Sequence, residues 1–136
     1  MHVTRSAETR RTETPNAVMT TLASPTQGQS AQAVWRVEMQ AGQAGPLHGI
    51  DAEQVWTVLE GGASVEAGTD VATLRAGDTI VLPADIARRI TADAQAGLVA
   101  IVAAPASMRA FVVSGTSAGP HPAVADSDKL LPAWVA

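Results

Sequence analysis

The 136-residue chain contains no cysteine and no tyrosine, and its only aromatic residues are three Trp and one Phe. Without Cys, the chain has neither a disulfide nor a thiolate ligand for a metal, and a reducing compartment would place no constraint on it. Because aromatic rings are so scarce, aliphatic side chains and alanine must fill most of the core. Each Trp position therefore merits individual inspection.

Charge is also scarce. Charged residues make up 16% of the chain and the formal net charge is -4, which provides no general attraction to nucleic acid or to anionic lipid. No segment stays apolar long enough to cross a bilayer, and the first eleven residues lack the apolar core of a signal peptide. We therefore expect a cytoplasmic protein that binds neither nucleic acid nor membranes.

The length suits one domain that buries roughly two-thirds of the surface exposed by its unfolded chain. Residues 1–15 are polar, with mixed charges, and predict a solvated N-terminal arm. Residues 16–114 form the predicted single domain, and residues 115–136 an irregular C-terminal tail that packs on it. In the tail, one helical turn is predicted over residues 126–131, with Ser127 as a candidate cap and Trp134 as a packing residue.

Short apolar segments separated by Gly, Pro and Asp turns predict an antiparallel β-sandwich or barrel. The clearest alternation runs from Ala33 to Met39, where every second side chain is apolar. Gly61–Gly62 is predicted to end a strand that starts at Glu53. The other predicted strands are residues 17–22, 63–66 and 71–74 (a hairpin), 79–82, 88–91, 98–103 and 108–113.

The segment from Glu53 to Leu59 is apolar on both faces, with Val55 and Leu59 on one side and Trp56 and Val58 on the other. Such a strand should have packing partners on both of its faces. One cover is the domain's own interior, and the other is a second sheet or a partner subunit. This pattern contributes to the prediction of a homodimer.

Two groups of residues keep a characteristic spacing. The first is Gly42, His48, Ile50, Gln54 and Gly61, and the second is Gly77, Pro83, Asp85, Arg88 and Ala92. In this spacing the chain resembles the cupin superfamily over the middle third to half of its length. The resemblance implies an all-β, double-stranded β-helix (jelly-roll) barrel and supports the predicted homodimer.

In metal-binding cupins, two His and a Glu of the first motif and a His of the second converge on one ion. The matching residues here are His48, Ile50, Gln54 and Arg88. Ile50 cannot coordinate, Gln54 is a weak neutral donor, and the guanidinium of Arg88 has no lone pair and would repel a cation. We therefore predict no metal and no cofactor, and leave open whether His121 of the tail enters the site.

By pleat parity and the family register, His48, Ile50, Gln54 and Trp56 should share the barrel interior. The predicted ligand is a small anionic or enolisable organic molecule. His48 would move a proton as the catalytic residue, Gln54 would orient the ligand, and Trp56 would supply a flat wall. Arg88 would pair with a carboxylate or enolate oxygen.

Three functions remain open at this point. The first is a metal-independent cyclase, isomerase or dehydratase of secondary metabolism, and the second is a non-catalytic binding or sensing module. The third is a metal-dependent cupin oxygenase with degenerate ligands. His48 and Arg88 could also be purely structural, with Asp85 or Asp51 as an ion-pair partner of Arg88. Gly115–Gly119 fits a serine-hydrolase pattern, but Pro120 and Pro122 prevent the helix that the pattern needs, so a flexible loop is predicted there.

Overall fold

The computed structural model describes residues 1–113 and 124–136. These residues form ten strands and two short 3-10 turns, Ser6–Glu8 and Asp126–Asp128, and they contain no α-helix. The strands are β1 (Arg10–Glu13), β2 (Val18–Ala23), β3 (Gln32–Met39), β4 (His48–Ile50), β5 (Gln54–Ala67), β6 (Asp70–Arg75), β7 (Thr79–Leu82), β8 (Arg88–Ala92), β9 (Leu98–Pro105) and β10 (Ala110–Val112).

All strand pairs are antiparallel and form two sheets that share β5. The first sheet has the order β1-β2-β3-β9-β5-β7. The second contains β8 between β5 and β4, with β10 beyond β4 and β6 on the other edge of β5. The predicted jelly-roll barrel is confirmed, and its interior lies between the two sheets.

The shared strand β5 bends where the sequence analysis expected it to end. Its first half pairs with β7 and β9, and its second half with β6 and β8. A register shift follows Val58, and Gly61 has a φ of 69°, a backbone conformation that favours glycine. The prediction that Gly61–Gly62 terminates a strand is wrong, because the two glycines instead form a corner that carries one strand from sheet to sheet.

Alternating burial forms the core. Ala33, Trp35, Val37 and Met39 of β3 are buried as the period-2 pattern predicted, and the buried residues of β9 face them across the pairing. The hairpin of β5 and β6 is also confirmed, with Gly68 at positive φ in its turn.

The N-terminal segment differs from its prediction. Arg10–Glu13 pairs with β2 as the edge strand of the first sheet, so this part of the expected solvated arm is ordered. The alternation there is masked in the sequence, because the residues on both faces of this edge strand are polar or charged. The guanidinium of Arg10 donates to the Ala136 carbonyl at 2.7 Å, which ties this strand to the C-terminus.

The described part of the tail lies against the barrel. Ala110 and Leu130 exchange two backbone hydrogen bonds of 2.8 Å, Thr21 donates its hydroxyl to the Trp134 carbonyl, and Val135 is fully buried. Of the helical turn predicted over residues 126–131, only Asp126–Asp128 forms, as a 3-10 turn. The residue at its N-cap is Ala125, so Ser127 does not cap it. Both Gly115–Gly119 and His121 lie outside the described residues. Among those that are described, no helix is long and apolar enough to span a membrane.

Candidate functional site

A cavity of about 340 Å³ occupies the barrel interior between the two sheets. Apolar side chains from β3, β5, β8 and the C-terminal segment form most of its wall. The polar side chains among its described lining are those of Thr14, Asn16, His48 and Gln54, together with the indole N–H of Trp56. Within the described residues, no Asp, Glu, Lys or Arg side chain lines it.

The structure brings together four of the five predicted site residues. His48 and Ile50 come from β4, and Gln54 and Trp56 from the start of β5, and all four line the cavity. Their common orientation follows from the alternation of side chains along each strand.

His48 is half-buried and has one ring nitrogen occupied. Its Nδ1 lies 2.8 Å from the Pro46 carbonyl oxygen, and because that oxygen only accepts, Nδ1 must carry the hydrogen. Burial lowers the pKa of His48 below its ordinary value, the Pro46 hydrogen bond opposes this effect, and the positive charge of Arg88 adds to it. His48 is therefore a neutral imidazole at neutral pH, and its Nε2 lone pair remains as an acceptor or base.

Gln54 holds Trp56 in position. The indole N–H donates to Gln54 Oε1 at 3.2 Å, while Gln54 Nε2 approaches Met108 Sδ at 3.5 Å. The amide oxygen of Gln54, the residue predicted to orient a ligand, thus accepts a hydrogen bond from the protein itself. A second amide N–H of Gln54 is left for a ligand, because a thioether is only a weak acceptor.

Arg88 lies on the inward face of β8, but its side chain does not line the cavity. It is the partner of His48 in the β4–β8 pairing. It also precedes Ile90 by two residues, so it shares the face of β8 from which Ile90 lines the cavity. Its fully buried guanidinium instead donates to the Pro83 carbonyl at 2.6 Å and to the Ile86 carbonyl at 3.2 Å, and Nη1 has no hydrogen-bond partner among the described residues. The direct pairing of Arg88 with a ligand therefore stays a prediction.

Arg88 nevertheless contributes a charge to the site. Burial lowers its pKa from 12.5 to about 10, against the opposing effect of Asp85, so the guanidinium stays protonated at neutral pH. The resulting positive potential is the reason that Arg88 depresses the pKa of His48.

Comparison with known proteins agrees with the spacing and the topology. The cupin-domain family model matches residues 35–103, just over half of the chain. The chain belongs to the cupin family. No match was found among the curated proteins.

Solved cupin structures resemble this cupin in fold. An RmlC-like cupin from Shewanella frigidimarina has a TM-score of 0.66 and 18% identity, over 79% of this chain and 93% of its own. KdgF from Halomonas has a TM-score of 0.64 and 19% identity, over 77% of this chain and 94% of its own. Oxalate decarboxylase from Bacillus subtilis has a TM-score of 0.66 and 13% identity, but this cupin spans only 28% of that chain. These identities show a shared fold alone.

The donor set of this cupin does not fit a metal ion. At the four family positions stand one imidazole, one hydrocarbon, one amide whose oxygen is already bonded, and one buried cation. Within the described residues, no group of three or more His, Asp or Glu side chains is close enough to hold an ion.

Several cavity residues were not among the predicted site residues. Trp35 and Met108 line the cavity from β3 and the segment before β10, and Leu130, Pro132 and Trp134 line it from the C-terminal segment. For Trp35 the signal was available, because the period-2 pattern of β3 directs it inward. For the C-terminal residues, irregular backbone offers no period from which an orientation could be predicted.

Proposed function

We propose that this cupin binds a small, largely apolar organic molecule whose one polar group donates a hydrogen bond to His48 Nε2. The observation that carries the proposal is a cavity with a single titratable lining side chain among the described residues. Its volume of about 340 Å³ lies at the lower end of the range of about 300–1,000 Å³ that is usual for small-molecule sites.

The protonation state of His48 supports a ligand that donates. Nδ1–H is committed to Pro46, and burial keeps the ring neutral, so the remaining nitrogen offers a lone pair and no hydrogen. A hydroxyl or N–H group would satisfy it. A carboxylate would meet no donor there, which favours the neutral, enolisable form of the predicted ligand over the anionic form.

A second candidate is catalysis at the same site, as a metal-independent isomerase, cyclase or dehydratase. The observation that favours it is a neutral His48 close enough to the protonated Arg88 for the guanidinium charge to lower the pKa of His48. Nε2 would accept a proton from an enolisable carbon or hydroxyl, and the field of Arg88 would stabilise the anion formed on the substrate. The metal-dependent oxygenase is the least supported of the three functions, because the donor set does not suit an ion.

Calorimetric titration with neutral ring alcohols tests the binding proposal. Decahydro-2-naphthol and 2-naphthol are suitable probes, because each combines an apolar double ring with one hydroxyl. We expect saturable one-to-one binding of at least one of them. His48→Leu should weaken it about tenfold, which corresponds to the loss of one hydrogen bond of about 1.4 kcal/mol.

His2→Leu is the matched control, since it removes an imidazole that does not line the cavity. Affinity should also fall as the pH drops below the pKa of His48, because the imidazolium no longer accepts. EDTA should change nothing. The proposal is wrong if neither alcohol binds, or if His48→Leu and His2→Leu have the same affinity for them. The metal-free interpretation is wrong if EDTA abolishes binding.

We further propose that two copies associate through the outer face of the first sheet. Val81, Val55, Ala103 and Val34 are cross-strand neighbours in one apolar row on this face, and Val81 is 54% exposed. A second copy would supply the second cover expected for β5. Light scattering at micromolar concentration should give a dimer for the parent chain and for Thr73→Lys, and a monomer for Val55→Lys. A monomeric parent chain would contradict the proposal.

A further inference from the structure

We infer that the ligand of the proposed site is planar and aromatic, with a phenolic or enolic hydroxyl. This inference rests on the proposed binding function and narrows its ligand to one chemical class. Three features of the cavity carry it: the concentration of indole rings, their common face, and the positive potential next to His48.

The aromatic residues of this chain are concentrated at one place. The chain has three Trp and one Phe, and all four line the same cavity. Elsewhere the core is filled by aliphatic side chains and alanine. A core needs no such segregation, since rings pack well at any interior position, so their distribution points to what the cavity holds.

Two of the indoles belong to one row of the first sheet. Trp35 of β3 and Trp56 of β5 are both Cα partners of Val102 in β9, which lies between them. Directly opposed residues point to the same face, so both rings belong to one wall, with their Cα atoms about 10 Å apart across two strand spacings.

Trp134 is held near the same row. Its carbonyl accepts from Thr21, and Thr21 is the partner of Trp35 in the β2–β3 pairing. Trp35 and Trp56 thus lie on one side of the cavity with the backbone of Trp134 near them, while β4 and β8 of the second sheet contribute His48, Ile50 and Ile90. A flat ring system on the indole wall would direct an edge hydroxyl towards His48.

Hydrogen bonding and charge restrict the ligand further. The indole N–H of Trp56 is already bonded to Gln54, so this residue offers the ligand its ring and not its donor. Aromatic walls also bind organic cations, but the protonated Arg88 lies close enough to lower the pKa of His48, and no described carboxylate lines the cavity. A neutral aromatic hydroxyl compound satisfies both the rings and Nε2.

Calorimetry with four probes that share a carbon skeleton tests the inference. We expect 2-naphthol to bind roughly tenfold more tightly than decahydro-2-naphthol, because ring pairs favour each other beyond the area that they bury. Naphthalene, which lacks the hydroxyl, should bind more weakly than 2-naphthol. Trimethyl(2-naphthyl)ammonium should not bind.

The outcomes separate the two proposals. Equal affinities for 2-naphthol and its saturated analogue, or tight binding of the ammonium compound, would overturn the aromatic ligand and leave the binding function intact. Absence of binding by both alcohols would overturn the binding function itself. Trp56→Leu should lose the preference for 2-naphthol, whereas Trp56→Phe should keep most of it. The comparison of probes on the unmodified protein remains decisive if a variant fails to fold.

Discussion

Gly61, at the corner of β5, offers a sharp test of why this fold keeps its glycines. A methyl group at this position would meet the carbonyl of Gly97, which itself accepts the N–H of Gly62 at 3.0 Å. Gly42 has nearly the same backbone angle, a φ of 74° against 69°, but no atom lies within 4 Å of the point that a methyl carbon would occupy there. The two sites therefore share conformational strain and differ in available space.

The expected cost of alanine follows from these two terms. At Gly42 the strain of a left-handed residue, about 1–2 kcal/mol, is partly offset by the reduced entropy of the unfolded chain, which leaves about 1 kcal/mol. Gly61→Ala carries the same terms. It also has to displace a backbone carbonyl and weaken one hydrogen bond, which adds about 1–3 kcal/mol.

Urea denaturation of the two variants beside the parent chain measures this difference, because the midpoint reports stability when the slope is unchanged. We expect Gly61→Ala to lose at least twice as much free energy of unfolding as Gly42→Ala. Equal losses would refute the argument that close approach to Gly97, rather than φ alone, requires glycine at the corner.

Three further perturbations have clear expected outcomes. Burial lowers the pKa of His48 below 6.5, so its ionisation costs no stability above that pH. The free energy of unfolding should decrease as the pH falls from 6.5 towards the folded-state pKa, and His48→Gln should reduce this loss in urea denaturation. Gln54→Leu removes the acceptor of the Trp56 indole and should cost about 1 kcal/mol with a shift in Trp emission, since the ring is freed. Asp51→Asn removes a carboxylate 3.7 Å from Lys129 and should speed amide hydrogen exchange in the C-terminal segment but not in β3.

Much of the fold was predictable because its signals are local. The alternation in β3 and the hairpin turn at Gly68 depend on residues within a few positions of one another. The corner at Gly61 was not predictable in the same way. A glycine pair after a strand is typical of a chain end or turn, and only the pairing with strands distant in sequence shows that β5 continues.

The site was predictable in position and less so in detail. Pleat parity correctly grouped His48, Ile50, Gln54 and Trp56 at one cavity. The cupin spacing placed Arg88 at the same site, but spacing does not determine where a long side chain ends. The carbonyls of Pro83 and Ile86, which hold the guanidinium, belong to a turn whose geometry has no period.

Backbone conformation explains how the cupin spacing is kept although the metal-ligating residues are absent. Gly42, Gly61 and Gly77 of the two spaced groups all have positive φ, and so does Asp85 of the second group. Aspartate is one of the few side chains that tolerate this conformation. These positions are constrained by the path of the chain, whereas His48, Ile50 and Gln54 lie in strands with ordinary backbone angles that many residue types can adopt. The backbone therefore restricts the ligand positions less than the turn positions, so their side chains can change chemistry while the path of the barrel is kept.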